Sequence, residues 1–255
     1  MYFFLDTWFL FQKYMKITLR MPLWSLFTLV QPLIWLLIFG QLFRNFSSMP
    51  GFPSQSYMEF FLPGVLIMTV LFGSSWSGVS LLRELNFGVV SKMLVSPIYR
   101  SSIVLSRVLH SAVTVLIQTL IIFGVAWVMG AATPVSGISF LLTLVLIFLL
   151  AVGFASLSNG FAMVLQREEP LVVIGNLMTL PLLFFSSALV PAEFLPSWIG
   201  VIASVNPIHY AVEGVRKVLV GDFTLQSLWL EHAVLLVFAV LTLVWATFIF
   251  MRRKD

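Results

Sequence analysis

Charge is what this chain has least of: 9% of its 255 residues are Asp, Glu, Lys or Arg. A soluble domain carries about 25%, so an ordinary water-facing surface is excluded. Cysteine is absent, which removes any disulfide framework or thiolate metal site and leaves the redox compartment unreadable. His110, His209 and His232 are scattered, without HExxH or other ligand spacing, so no metal site is expected. There is no GxxxxGK(S/T) loop, and the chain is not expected to hold ATP in the P-loop manner. No Ser/His/Asp arrangement follows from spacing. The N-terminus does not read as a cleaved signal peptide, because its bases follow the first apolar patch and no small-residue cleavage site appears.

What the chain does have is long apolar runs, with 60% hydrophobic residues. A helix needs roughly 20 apolar residues to cross about 30 Å of hydrocarbon. Six runs qualify by length: Leu23–Phe43, Phe60–Leu82, Val108–Met129, Ile138–Leu165, Leu171–Val190 and Ala233–Met251. They are apolar all round, unlike the striped helices of a soluble protein. The expected fold is all-α and integral to the membrane, with six transmembrane helices in a single domain over residues 1–255.

The bases orient it. With the N-terminus in the cytoplasm, Lys13, Lys16, Arg20, Arg83, Lys92, Arg100, Arg107, Arg167, Arg252, Arg253 and Lys254 lie inside, and Arg44, Arg216 and Lys217 outside. Eleven against three is a strong positive-inside bias. The net charge of +4 therefore reads as membrane topology and not as a nucleic-acid footprint. Both termini are expected in the cytoplasm.

Three segments stand apart from the spans. Residues 1–20 carry Phe4, Leu5, Trp8, Phe11, Met15 and Leu19 at helical spacing, with Asp6, Lys13, Lys16 and Arg20 opposite. This suits an interfacial helix on anionic lipid better than a frayed extension of the first span. Residues 83–97 form a loop in which Val89, Val90, Met93 and Leu94 make a short apolar face and Pro97 stops the helix. Such a helix can dock on a soluble partner or lie flat on the headgroups, and local pattern does not separate the two. Residues 191–220 are moderately apolar and rich in Pro. There Asn206-Pro207 should start a helix, Glu213 can pair with Arg216 or Lys217, and Gly221 is a stop. Trp198–Val205 is too short to span, so a re-entrant helical pair is expected, covered by protein or lining a cavity.

Within the spans the polar residues are few. Gln118, Asn159 and Asn176, with Phe184 and Phe185 at the end of the fifth run, are the candidates for lining a pathway. Small residues recur four apart, as Gly73 with Ser77, Ser74 with Gly78, Ala151 with Ala155 and Ser156 with Gly160, which favours close helix packing.

The order of several short motifs carries a resemblance. Gln31-Pro32 and Phe39-Gly40 are followed by Phe61-Leu62-Pro63-Gly64, then Arg83-Glu84, then Leu94-Val95-Ser96-Pro97 with Arg100. Later come Phe185-Ser186-Ser187-Ala188, Pro191, Leu195-Pro196 and Asn206-Pro207-Ile208-His209-Tyr210. Over nearly its whole length the chain resembles the ABC-2 type permeases, membrane subunits of ATP-binding-cassette exporters, in their daunorubicin-resistance-like and nodulation-export-like branch. The resemblance implies a type V exporter-like fold in a bacterial or archaeal plasma membrane. It implies a second permease copy, as a homodimer, and two copies of a cytoplasmic ATPase that bind ATP and Mg, with no cofactor in this chain. Residues 1–20 would be the connecting helix, and residues 83–97 the coupling helix. The ATPase-coupling residues would be Arg83, Glu84, Gly88, Lys92, Met93, Leu94, Pro97 and Arg100, with Glu84 as the acidic coupling residue. Residues 191–220 would cap the exit.

The expected function is export of an amphipathic or lipid-like substrate, since a path of Phe, Leu and Met with Asn, Gln and Ser suits a large apolar cargo and not a small ion. A secondary transporter or channel is the first alternative, disfavoured because no acid or base lies centrally in a span and Glu59 and Glu231 sit near the outer boundaries. A membrane-embedded lipid-modifying enzyme is the second, with Arg167-Glu168-Glu169 as its one candidate cluster.

Overall fold

The computed structural model describes residues 2–45, 56–131, 136–191, 194–221, 223–224 and 226–252. Among them are ten helices and no strand: α1 Tyr2–Arg20, α2 Pro22–Leu42, α3 Tyr57–Asn86, α4 Val89–Leu94, α5 Arg100–Val128, α6 Gly137–Leu165, α7 Glu168–Phe184, α8 Ser197–Ala203, α9 Pro207–Val220 and α10 Trp229–Arg252.

Local chemistry sets many of these boundaries. Ser56 caps α3 by accepting from the Glu59 amide at 3.2 Å, and Ser136 caps α6 through Ser139 in the same way. Gly88 ends the α3 segment in the left-handed region, φ 68°, and turns the chain into α4. Asn206 and Pro207 open α9 as their residue types direct, and Gly221 closes it at φ 82°. The prolines at 32, 63 and 181 all lie inside helices.

α3 is the centre of the bundle. It packs against α2, α5, α6, α7 and α9, and Phe60, Phe61, Leu66, Ile67, Leu71 and Leu82 are fully buried. The small-residue pairs sit where α3 and α6 approach. Ser158 donates to the Ser75 carbonyl at 2.6 Å and accepts from the Gly78 amide at 3.0 Å. A Cβ on Gly78 would collide with the Ser158 backbone carbonyl. Ring packing joins α10 to α6, where Gly153 and Gly160 leave room for Phe238 and Trp245.

Four helices are long and apolar enough to cross a membrane among the described residues: α3, α5, α6 and α10. Of the other two expected spans, α2 has the expected length, 21 residues from Pro22 to Leu42, and α7 comes out shorter. The fifth was expected to run to Val190, but α7 stops at Phe184 after 17 residues, about 25 Å of helix against about 30 Å of hydrocarbon. The physical reason lies across the chain: the Asn206 side-chain amide donates to the carbonyls of Leu182 at 2.6 Å and Phe185 at 2.9 Å. Those carbonyls are met from outside, so the helix need not continue to satisfy them. The expected outer loop prolines at 50, 53 and 134, and residues 253–254, lie outside the described residues.

Candidate functional site

α3 runs between two polar ends of the bundle, and each end is built from side chains of several helices.

At the α4 end, Glu84 in the last turn of α3 holds three partners. It pairs with Arg107 of α5, with Lys13 of α1 at 3.3 Å, and accepts from the Tyr14 hydroxyl at 3.2 Å. Arg107 is only 3% exposed, donates also to Ser80 at 3.1 Å, and lies over the Tyr14 ring at 4.7 Å. Burial pushes the Tyr14 phenol up to about 12, with the Arg107 charge opposing, so it remains a neutral donor. Further contacts fasten α1 to α5: Thr18 meets His110 at 2.7 Å, Ser102 donates to the Phe3 carbonyl at 3.2 Å, and the Tyr99 amide donates to Asp6 at 3.3 Å. α1 turns Thr7, Leu10 and Tyr14 inward. Phe4, Trp8 and Leu19 are exposed on its other side.

The loop between α3 and α5 therefore presents a different surface from the one its pattern suggested. Val90 is fully buried and Met93 and Leu94 pack partly against the core, so the apolar face of α4 leans on the chain itself. Val89, Met93 and Leu94 remain half-buried. The exposed groups include Phe87, Lys92, Val95, Pro97 and Arg100, with Phe87 and Val95 both at least 80% exposed. The helix ends at Leu94, three residues ahead of Pro97. Arg83 reaches sideways to Glu168 at the start of α7, 3.2 Å away. Arg107, Tyr14, Phe87 and Val95 were missed by pattern reading. An Arg immediately ahead of the Val108–Met129 run was the available signal for Arg107.

Beside this end, α2, α3, α6 and α7 border a half-open cavity of about 330 Å3. Phe27, Phe72, Trp76, Phe154 and Phe161 supply rings to its wall, and Thr28, Gln31, Ser75, Ser158, Asn176 and Thr179 supply the polar groups. No charged residue is among the lining side chains. Of the expected pathway residues, Asn176 lines it. Gln118 is buried and donates to Thr28 at 2.8 Å, behind the wall. Asn159 is buried in the α3–α6 contact, donating to Ser77 and to the Ala155 carbonyl, both at 2.7 Å. Phe184 is exposed, and Phe185 stands edge-to-face with Trp198 at 6.0 Å.

At the other end, the segment after α7 is locked to α9. Ser187 donates to Glu213 at 2.5 Å and meets His209 at 3.1 Å; Arg216 donates to Glu213 at 2.6 Å and to the Ser187 carbonyl at 2.7 Å. Arg216 also lies 4.3 Å over the Phe60 ring. Glu213 thus chooses Arg216, and Lys217 pairs with Glu231 of α10 at 2.6 Å. Burial lowers the His209 pKa below its ordinary range. Ser187, His209 and Glu213 do not form a hydrolytic triad, since the serine hydroxyl occupies both partners and the acid does not orient the imidazole.

Membrane-length helices, a short-helix loop rooted on an amphipathic first helix, and two short helices before the last span occur in one order along the chain. The sequence model of the ABC-2 type transporter family matches residues 6–220. The chain belongs to the ABC-2 type transporter family. This permease is 33% identical over 217 residues to the ycf38 transport permease of Cyanophora paradoxa, across 84% of its own length and 74% of the relative's. It is 34% identical over 200 residues to ycf38 of Porphyra purpurea, 78% and 68% of the two chains. With the daunorubicin resistance ABC transporter permease protein DrrB1 of Streptomyces coeruleorubidus it shares 27% over 222 residues, 85% and 75%. It is an integral membrane protein and the membrane permease subunit of an ATP-binding-cassette exporter.

Proposed function

We propose that this permease exports an amphipathic cargo through the cavity between α2, α3, α6 and α7, driven by a separate cytoplasmic ATPase that presses on the loop from Arg83 to Arg100. The observation that carries this reading is the Glu84 cluster. A push on the exposed Phe87, Lys92 and Val95 enters a loop whose root is bonded to α1 and α5. Three helices then shift as one, and a short lever becomes a rearrangement of the bundle. In this reading Gly88, Met93, Leu94 and Pro97 shape the lever, and Phe87, Lys92, Val95 and Arg100 touch the ATPase.

The arrangement has both termini and the loop in the cytoplasm of a bacterial or archaeal plasma membrane, as the distribution of bases supports. α2 and α7 complete six crossings in one domain, α7 with its short helix extended by the turn to Val190. α1 lies on the inner surface with Phe4, Trp8 and Leu19 in lipid, and α8 and α9 form the re-entrant cap. Apolar faces left exposed on α2 (Val30, Ile34, Leu37) and α7 (Val173, Leu177, Leu180) flank the cavity and suit a second copy, giving two permeases and two ATPases, with ATP and Mg on the latter. The uncharged lining supports an amphipathic or lipid-like cargo, and the name of the DrrB1 relative refers to daunorubicin resistance. Glu168, the candidate acid of an embedded enzyme, is engaged by Arg83.

The test is reconstitution. Vesicles holding the permease alone should not accumulate cargo, and vesicles holding permease, ATPase and ATP should. Phe87→Asp with Val95→Asp should release the ATPase on co-purification while the permease still inserts. Uphill transport without ATPase or nucleotide refutes the reading.

A further inference from the structure

Gln31 of α2 and Asn176 of α7 are both exposed, both line the cavity, and neither carboxamide meets a hydrogen-bonding partner among the described residues. The buried Thr179 likewise has no side-chain hydrogen bond among the described residues, and the remaining polar lining groups have partners. Ser158 donates to the Ser75 carbonyl, Ser75 donates to the Leu71 carbonyl at 2.7 Å, and Thr28 accepts from Gln118. Two unsatisfied amides at this position on membrane helices cannot face hydrocarbon without a large desolvation cost. At the open side of the cavity they are available to a polar occupant.

We infer that Gln31 and Asn176 are specificity-determining residues that hydrogen-bond an uncharged, ring-bearing cargo through its hydroxyl or carbonyl groups. This rests on the cavity being the cargo site, as proposed above. Each carboxamide offers two donors and an acceptor, so both hydroxyls and carbonyls are accommodated. The rings of Phe27, Phe72 and Trp76 offer faces and edges to a flat apolar body. The absence of any Asp, Glu, Lys or Arg from the lining disfavours a charged cargo, because an ion held there would find no counter-charge in the wall. The aromatic wall alone would admit a lipophilic cation, and that alternative is an outcome of the test.

The experiment uses the purified full-length permease in nanodiscs and three probes with one ring body: pyrenebutanol, pyrenebutyrate and a pyrenebutyl-trimethylammonium salt. Binding is read as saturable quenching of the Trp76 component, isolated by subtracting the Trp76→Phe variant, whose residue lies in the wall. The neutral alcohol should bind tighter than either ion. Gln31→Leu and Asn176→Leu should each weaken it about fivefold, the worth of one lost neutral hydrogen bond. Gln31→Asn and Asn176→Gln should recover part of the loss, which separates hydrogen bonding from misfolding. Equal or tighter binding of the cation or anion overturns the inference, and so does alcohol binding that neither Leu variant changes. If the Leu variants lower cross-linking between permease copies and leave probe binding intact, the amides serve the second copy and the inference also falls. Amide-dependent binding of the alcohol, together with no ATP-driven movement of it by the permease–ATPase complex, would sink the pathway reading and leave the binding site standing.

Discussion

Glu84, in the last turn of α3, is ion-paired to Arg107, eight residues into α5, and the two sit on opposite sides of the exposed α4 loop. Because Arg107 is buried and Tyr14 and Lys13 join the same carboxylate, the pair makes one rigid root for the loop and ties α1 to it. Glu84 is therefore bonded inward, to Arg107 and α1, while its loop neighbours Phe87, Lys92 and Val95 are exposed.

Removing one partner of that pair should be costly. Glu84→Ala leaves the Arg107 guanidinium buried with Ser80 as its remaining side-chain hydrogen-bond partner, and a loss of about 3 kcal/mol is expected. Glu84→Gln should retain the Tyr14 contact and lose less. Thermal unfolding of the detergent-solubilised permease measures both. Cysteine cross-linking between Thr18 and His110 positions should fall in Glu84→Ala, because α1 loosens from α5.

Gly88 has open space around a built Cβ but a φ of 68°. Gly88→Ala should thus cost about 1 kcal/mol through backbone strain alone. Gly88→Asn should be milder. Gly88→Pro also removes the amide that donates to Leu85 at 3.0 Å, and should abolish coupled export while the chain still inserts. Membrane fractionation beside transport assays separates the two effects.

The α3–α6 contact should tolerate no side chain at Gly78, where a Cβ meets the Ser158 carbonyl. Gly78→Ala is expected to lower the unfolding midpoint clearly. Gly124→Ala, at a helical glycine with nothing within 4 Å, should leave it unchanged or raise it, by up to about 1 kcal/mol of helix propensity.

Asn206→Ala removes the α9 cap and the two bonds to the end of α7. A loss of about 2 kcal/mol is expected from the cap and the orphaned carbonyls together. Hydrogen exchange should accelerate at the end of α7 and the start of α9, and remain unchanged in α5.

His209 faces Ser187, Glu213, Arg216 and Glu231. Burial holds its pKa below the ordinary value, so its neutral form belongs to the folded state. Its contribution is present above the unfolded pKa of about 6.5 and is lost as pH falls through the lowered one. Acidifying the medium should therefore loosen the α7–α9 lock, seen as faster proteolysis between Phe185 and Ser197, and His209→Gln should remove most of that pH dependence.

The sequence by itself determined the solvent and the helical class. Sparse charge and long apolar runs demand a lipid environment, and a backbone there must satisfy its own hydrogen bonds, which a helix does locally. It also determined the starts and stops set by neighbouring residues, as at Asn206-Pro207 and Gly221, because capping is a short-range interaction. Only the tertiary structure decided where α7 ends, since the amide that meets its last carbonyls comes from Asn206. Only it turned the apolar face of α4 inward and brought Lys13, Tyr14, Glu84 and Arg107 to one point. Those outcomes depend on contacts between residues far apart in the chain, and neither hydrophobic period nor spacing carries that information.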